Sequence, residues 1–100
     1  MNNIDIKGVL LVKRVDPGKE GNLDELEELA NSAGYVVLDK VMQSRAPDKA
    51  YAVGRGKAEE IAELVKEIKP DKVVFDEKLN AVQIYNLSKL YKVEVIDRFN

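Results

Sequence analysis

Apolar positions along this chain change period several times, and each change marks an element. Gly8 to Lys13, GVLLVK, is a continuous apolar run, the pattern of a strand buried on both faces. Arg14 to Asn22 is polar and holds Pro17, Gly18 and Gly21, which predicts a loop. Leu23, Leu26, Leu29, Ala30 and Ala33 then recur at helical spacing. Asn22 and Glu25 stand as a capping pair before that helix, and Gly34 takes the C′ position behind it. Tyr35 to Met42, YVVLDKVM, predicts a second strand. Gln43 to Lys49 predicts a loop in which Pro47 biases Ala46 away from helix. Tyr51 to Val53 predicts a short third strand.

A second helix follows, capped by Gly56 or its neighbour, with Ala58, Ile61, Leu64, Val65 and Ile68 as its apolar stripe. Pro70 stops it, because proline has no N–H for the helical ladder. Lys72 to Phe75 predicts a strand that ends at the acids Asp76 and Glu77. Asn80 and Gln83 form a capping pair before a third helix lined by Ile84, Leu87, Leu90 and Tyr91. Val93, Val95 and Ile96 close the chain with a strand. Strands alternating with helices predict an α/β layered single domain over residues 1–100. Its mostly parallel sheet should hold four to five strands flanked by about three helices, with right-handed crossovers placing helices on both faces.

Composition narrows the chemistry. The chain has no Cys and no His, which removes disulfides, thiolate metal sites and the usual neutral-pH general base. Ser32, Ser44 and Ser88 are its only hydroxyl nucleophiles besides tyrosine, and without His no Ser-His-Asp triad can form. No catalytic residue and no metal site are expected. No apolar run is long enough to span a membrane. The first residues, MNNIDIKG, lack the order of a signal peptide, so a cytoplasmic location is expected.

Overall net charge is −2, yet Gln43 to Lys57 carries Arg45, Lys49, Arg55 and Lys57 against the single acid Asp48. A cationic window on an otherwise acidic chain points to a local anionic partner. It overlaps Tyr51 to Ile61, YAVGRGKAEEI, where Gly54 and Gly56 precede a helical run. Helix N-termini offer unpaired N–H groups and partial positive charge, and glycine allows close backbone approach. The segment therefore reads as an anion-facing loop with nucleic acid or nucleotide as candidate ligand; a purely structural turn is the competing reading. A phosphate-binding loop of the GxxxxGK[ST] type is excluded, since Tyr51 occupies the first glycine position and Ala58 replaces the hydroxyl. Asp76 and Asp97 should lie at the strand ends where such sheets bind ligands. They could hold Mg²⁺ with phosphate, although strand-end caps are the simpler reading.

The ordered set from about Val9 to Arg98 resembles the N-terminal domain of the HflX family of ribosome-associated GTPases. It comprises a leucine-rich helix (LDELEELANSAG), a basic loop (QSRAPDKAYAVGRGKA), an apolar strand ending in an acidic pair (KVVFDE), a helix with glutamine near its start, and VIDR. Gly54, Gly56 and Lys57 match the family's G-x-G-K. Asn80-Ala81 departs from a frequent Ser-Pro, but both start helices well. The GTPase domain that follows VIDR in the family is not in this sequence, so GTP and Mg²⁺ are implied only for that missing domain and no cofactor for this one. The resemblance implies a module that positions a GTPase on the large ribosomal subunit and its RNA. Arg45, Lys49, Arg55 and Lys57 are the phosphate-contact candidates, Gly54 and Gly56 allow close approach, and Tyr51 stacks on a base or packs in the core. The GTPase domain of the same protein is the second implied partner. The alternatives are an accessory ATP- or GTP-binding domain, or a regulatory spacer packed on the GTPase domain.

Overall fold

A computed structural model describes residues 7–98. The expectation of a missing leader rests largely on residues 1–6, which lie outside the described residues. The order is β1 (Gly8–Val15), α1 (Asp24–Ser32), β2 (Val36–Ser44), α2 (Arg55–Ile68), β3 (Lys72–Phe75), α3 (Ala81–Tyr91) and β4 (Glu94–Asp97). The strands form one sheet in the order β2-β1-β3-β4, and every pairing is parallel.

β1 lies between two neighbours, which is why its sequence is apolar throughout: Val9, Leu10, Leu11 and Val12 are wholly inaccessible. Alternate residues feed two cores. On one face Val9, Leu11 and Val74 meet Leu23, Leu26 and Ala30 of α1. On the other Leu10, Val12, Val73 and Phe75 meet Ala58, Ile61 and Val65 of α2 and Leu87 and Tyr91 of α3. One helix on one face and two on the other is the distribution that right-handed crossovers demand for this strand order.

Three expectations need correction. Tyr51 to Val53 is not a strand; Asp48 and Ala52 make an isolated antiparallel bridge inside a tight turn. Asp48 Oδ1 accepts the N–H groups of Ala50 and Tyr51, so an Asx-type turn captures the donors a strand would have used. Asn22 does not cap the third residue of α1: Leu23 is the N-cap residue, and Asn22 Oδ1 accepts only the Asp24 N–H. Finally, β1 and β2 run on to Val15 and Ser44, so Arg14 sits within a strand rather than after it.

Other signals stand as read. Gly34 has φ of +89°, Asn80 and Gln83 form a reciprocal capping box, and α2 ends ahead of Pro70 with Lys69 in the left-handed region. Among the described residues no helix is long and apolar enough to cross a membrane.

Candidate nucleic-acid interface

The C-terminal ends of the parallel strands carry the charged loops. Where β1 and β3 part company, the crevice in which doubly wound sheets usually bind ligands is lined by the chain's own ion pairs. Lys13 Nζ lies 3.0 Å from Asp76 Oδ2, and Arg14 Nε lies 3.2 Å from Glu77 Oε1. Arg98 Nε is 3.3 Å from Asp76 Oδ1, and Asp97 Oδ2 accepts the Leu79 N–H at 2.8 Å. The strand-end carboxylates thus already have cationic or N–H partners. Among the described residues no group of three or more acidic side chains is placed to hold a metal ion. Partial burial pushes the Glu77 carboxyl above its usual range, outweighing the opposing pull of Arg14. The Arg14 guanidinium is itself raised, chiefly by its hydrogen bond to Asp16.

Arg14 also builds the neighbouring loop. Its Nη1 donates to the Arg45 carbonyl at 2.8 Å, while the Arg45 N–H donates to the Val15 carbonyl at 3.0 Å. The loop between β2 and α2 is pinned at its far side by α3: Gln83 Nε2 donates to the Asp48 carbonyl and Asn86 Nδ2 to the Ala50 carbonyl. Gln83 was legible as a capping residue; its second bond, to a loop 35 residues away, was not.

The loop delivers the chain to α2. The N-cap residue of α2 is the buried Gly54, not Gly56 or its immediate neighbour as the sequence suggests, and its N–H is taken by Gln43 Oε1 at 2.8 Å. A Cβ on Gly54 would sit 2.5 Å from Arg45 Nη1, so this glycine leaves the space that the guanidinium fills. Arg55, Gly56 and Lys57 form the first turn. Among the described residues no side chain caps their N–H groups, and no acid lies in that turn. By contrast, α1 opens with Asp24, Glu25 and Glu27, and α3 with its capping box. Arg55 is exposed and, with Arg45 and Lys49, forms no ion pair among the described residues; Lys57 lies 3.4 Å from Glu60. A Cβ on Gly56 would meet nothing, so that side of the helix start is open.

The structure therefore brings Arg45, Gly54, Arg55, Gly56 and Lys57 to one helix start. Lys49 is exposed on the pinned turn that precedes it. Tyr51 is half-buried and packs against the larger core, which favours its packing role. Tyr85 on α3 is the exposed aromatic that the sequence did not single out, 65% accessible with Lys89 Nζ 5.9 Å from its ring centre. Its place in an otherwise ordinary helical stripe gave no signal.

The fold and this loop define a parallel α/β module with a cationic helix start beside its strand-end loops. The model of the GTP-binding GTPase N-terminal family matches residues 20–100. Relatives include the GTPase HflX of Thermococcus kodakarensis, 52% identical over 75% of this chain and 17% of that protein. The GTPase HflX of Thermofilum pendens is 47% identical over 93% of this chain and 22% of its own length. That of Escherichia coli is 46% identical over 77% of this chain and 18% of its own length. The chain belongs to the family of HflX N-terminal domains. It spans about a fifth of the length of the curated relatives it matches.

Proposed function

We propose that this domain is the RNA-facing module of an HflX-type GTP-binding protein, positioning a GTPase domain of the same protein on the large ribosomal subunit in the cytoplasm. The observation that carries the reading is the placement of the Arg45 guanidinium against Gly54, at the start of a helix whose first N–H groups lack side-chain acceptors. Fixed cations beside uncommitted backbone donors suit phosphate oxygens. Arg45 and Arg55 supply charge, Gly56 leaves the backbone approachable, and Lys49 extends the cationic edge along the pinned turn. Lys57 contributes where RNA competes with Glu60, because an exposed i,i+3 pair is weak.

The domain performs no chemistry in this reading; GTP and Mg²⁺ belong to the GTPase domain. An accessory nucleotide site has less support, since the cations at the strand ends of β1 are already paired, Lys13 with Asp76 and Arg14 with Glu77. The test is co-sedimentation with large ribosomal subunits. Arg55→Glu combined with Lys57→Glu should abolish pelleting while leaving the thermal midpoint within a few degrees. Unchanged pelleting refutes the RNA contact. A saturable rise in midpoint with ATP or GTP would favour the nucleotide reading instead.

A further inference from the structure

A second surface, of opposite charge, lies on the outer flank of the sheet. β2 is an edge strand, and its register places Val36 beside Gly8, Asp39 beside Leu10 and Val41 beside Val12. These positions share the face that α2 and α3 cover, because Leu10 and Val12 belong to that core. Leu38 is the extra residue where the register shifts between Val9 and Leu10. Its side chain lies over Gly8, where a Cβ would sit 2.6 Å from Leu38 Cδ1. Yet Leu38 stays 42% exposed and Val36 45% exposed. The cover of this face stops at α2. Between α2 and β2 lies a groove of about 300 Å³, floored by Val41, Ile61 and Leu64 and rimmed by Glu60, Glu63 and Glu67.

Every ionisable side chain lining that groove is a glutamate. Asp39 adds a further acid on the same face, whereas Lys40 turns to the opposite face and pairs with Glu27 of α1 at 2.8 Å. Lys57 and Lys66 pair with Glu60 and Glu63 at 3.4 and 3.2 Å, but these are i,i+3 surface pairs of small worth. Glu67 has no ion-pair partner among the described residues.

We propose that this groove docks a cationic amphipathic helix of a separate protein. Its apolar stripe would lie on Val41, Ile61 and Leu64 against Leu38, and its Lys or Arg residues would meet Glu60, Glu63 and Glu67. Such a helix completes the layer that α2 leaves short at the sheet edge. Strand addition along β2 is opposed by the irregularity at Leu38, since bulges disrupt the edge ladder. Nucleic acid is repelled by the acidic rim. A second copy of this chain is a poor donor: α1 opens with Asp24, Glu25 and Glu27, α2 carries the same glutamates, and of its large apolar residues α3 exposes only Val82 and Tyr85 rather than a full apolar stripe. The proposal rests on residues other than the phosphate-contact candidates, and the two surfaces meet at the Lys57–Glu60 pair.

The experiment is an amide-shift titration of the isotope-labelled chain with a Leu/Lys amphipathic peptide of about four helical turns. An otherwise identical Leu/Glu peptide is the control. The Leu/Lys peptide should shift amides of Leu38–Val41 and Ile61–Glu67 saturably. Combined Glu60→Lys, Glu63→Lys and Glu67→Lys should weaken it by about tenfold or more, the scale of losing central contacts in an interface. All three glutamates are exposed, so this variant should fold; Leu64→Asp is the second variant, read only if its amide spectrum stays native. Equal binding of the Leu/Glu peptide, unaltered binding by the triple variant, or shifts centred elsewhere would overturn the proposal. Concentration-dependent shifts of the same amides without peptide would assign the groove to a second copy and overturn it too.

Discussion

Gln43 Oε1 accepts the N–H of Gly54 at 2.8 Å, so a side chain near the end of β2 holds the residue that begins α2. Gly54 is buried, and a buried N–H left without an acceptor costs about 1–3 kcal/mol. Gln43→Leu should therefore lower the thermal midpoint, by roughly 4–8 °C for each kcal/mol in a domain of this size. Gln43→Glu keeps the acceptor and should hold the midpoint, yet its charge beside Arg45 should weaken RNA binding. Circular-dichroism melts and filter binding on both variants check the pair of outcomes.

The two glycines of the helix start should behave oppositely. Gly54→Ala suits the backbone, with φ of −61°, but its Cβ displaces the flexible end of Arg45. Stability should change by no more than about 1 kcal/mol, within the range of ordinary substitutions, while RNA affinity should fall as it does in Arg45→Ala. Gly56→Ala meets open space within a helix and should stabilise by about 0.5–1 kcal/mol. If phosphate approaches the backbone there, the same variant binds RNA more weakly despite its higher midpoint. A midpoint and an affinity moving in opposite directions are what to measure.

Tyr91 offers a stability test away from the interface. Its ring belongs to the larger core, and its hydroxyl is buried without a hydrogen-bond partner among the described residues. Burial also pushes its ionisation upward, so it stays neutral. Tyr91→Phe removes an uncompensated polar group and should raise stability by about 1 kcal/mol, the lower end of the cost of such a group. Urea denaturation of the two proteins measures it.

Glu77 gives the pH dependence a sign. Burial raises its folded-state pKa above the ordinary 4.5, so the folded chain holds this proton more tightly than the unfolded chain does. Its support for folding is complete below 4.5 and is lost as pH climbs through the raised value. Glu77→Gln removes the titration. The stability of the wild type relative to this variant should therefore fall as pH rises above 4.5 and level off beyond the raised value. Paired melts across that window test it; parallel profiles would remove Glu77 as the cause.

Much of this fold was legible because its signals are local. Lys72–Phe75 reads as a strand, and Asn80 and Gln83 as a capping box, from residues a few positions apart. Tyr51 to Val53 reads as a strand although its residues are apolar for a different reason. Ala52 and Val53 are buried in the core while Ala52 adopts φ of +66°, and the Asp48 side chain takes the local donors. Periodicity reports burial, not the backbone path that achieves it. Of the site, the cations and glycines were visible as composition. The acceptor that Gln43 offers Gly54 and the bond from Arg14 to the Arg45 carbonyl depend on the register of β1 and β2. The ion pairs at the strand ends join residues 63 apart, and no local pattern announces them.

The most direct measurement is the salt dependence of binding to large-subunit ribosomal RNA, for the wild-type chain and for Arg45→Glu with Arg55→Glu. If these guanidiniums neutralise phosphates, the variant binds far more weakly. Its plot of log affinity against log salt is then shallower by roughly 1–2, since each phosphate contact contributes about 0.7–0.9 to the slope. Identical affinity and identical slope in the two proteins would contradict an RNA-facing helix start.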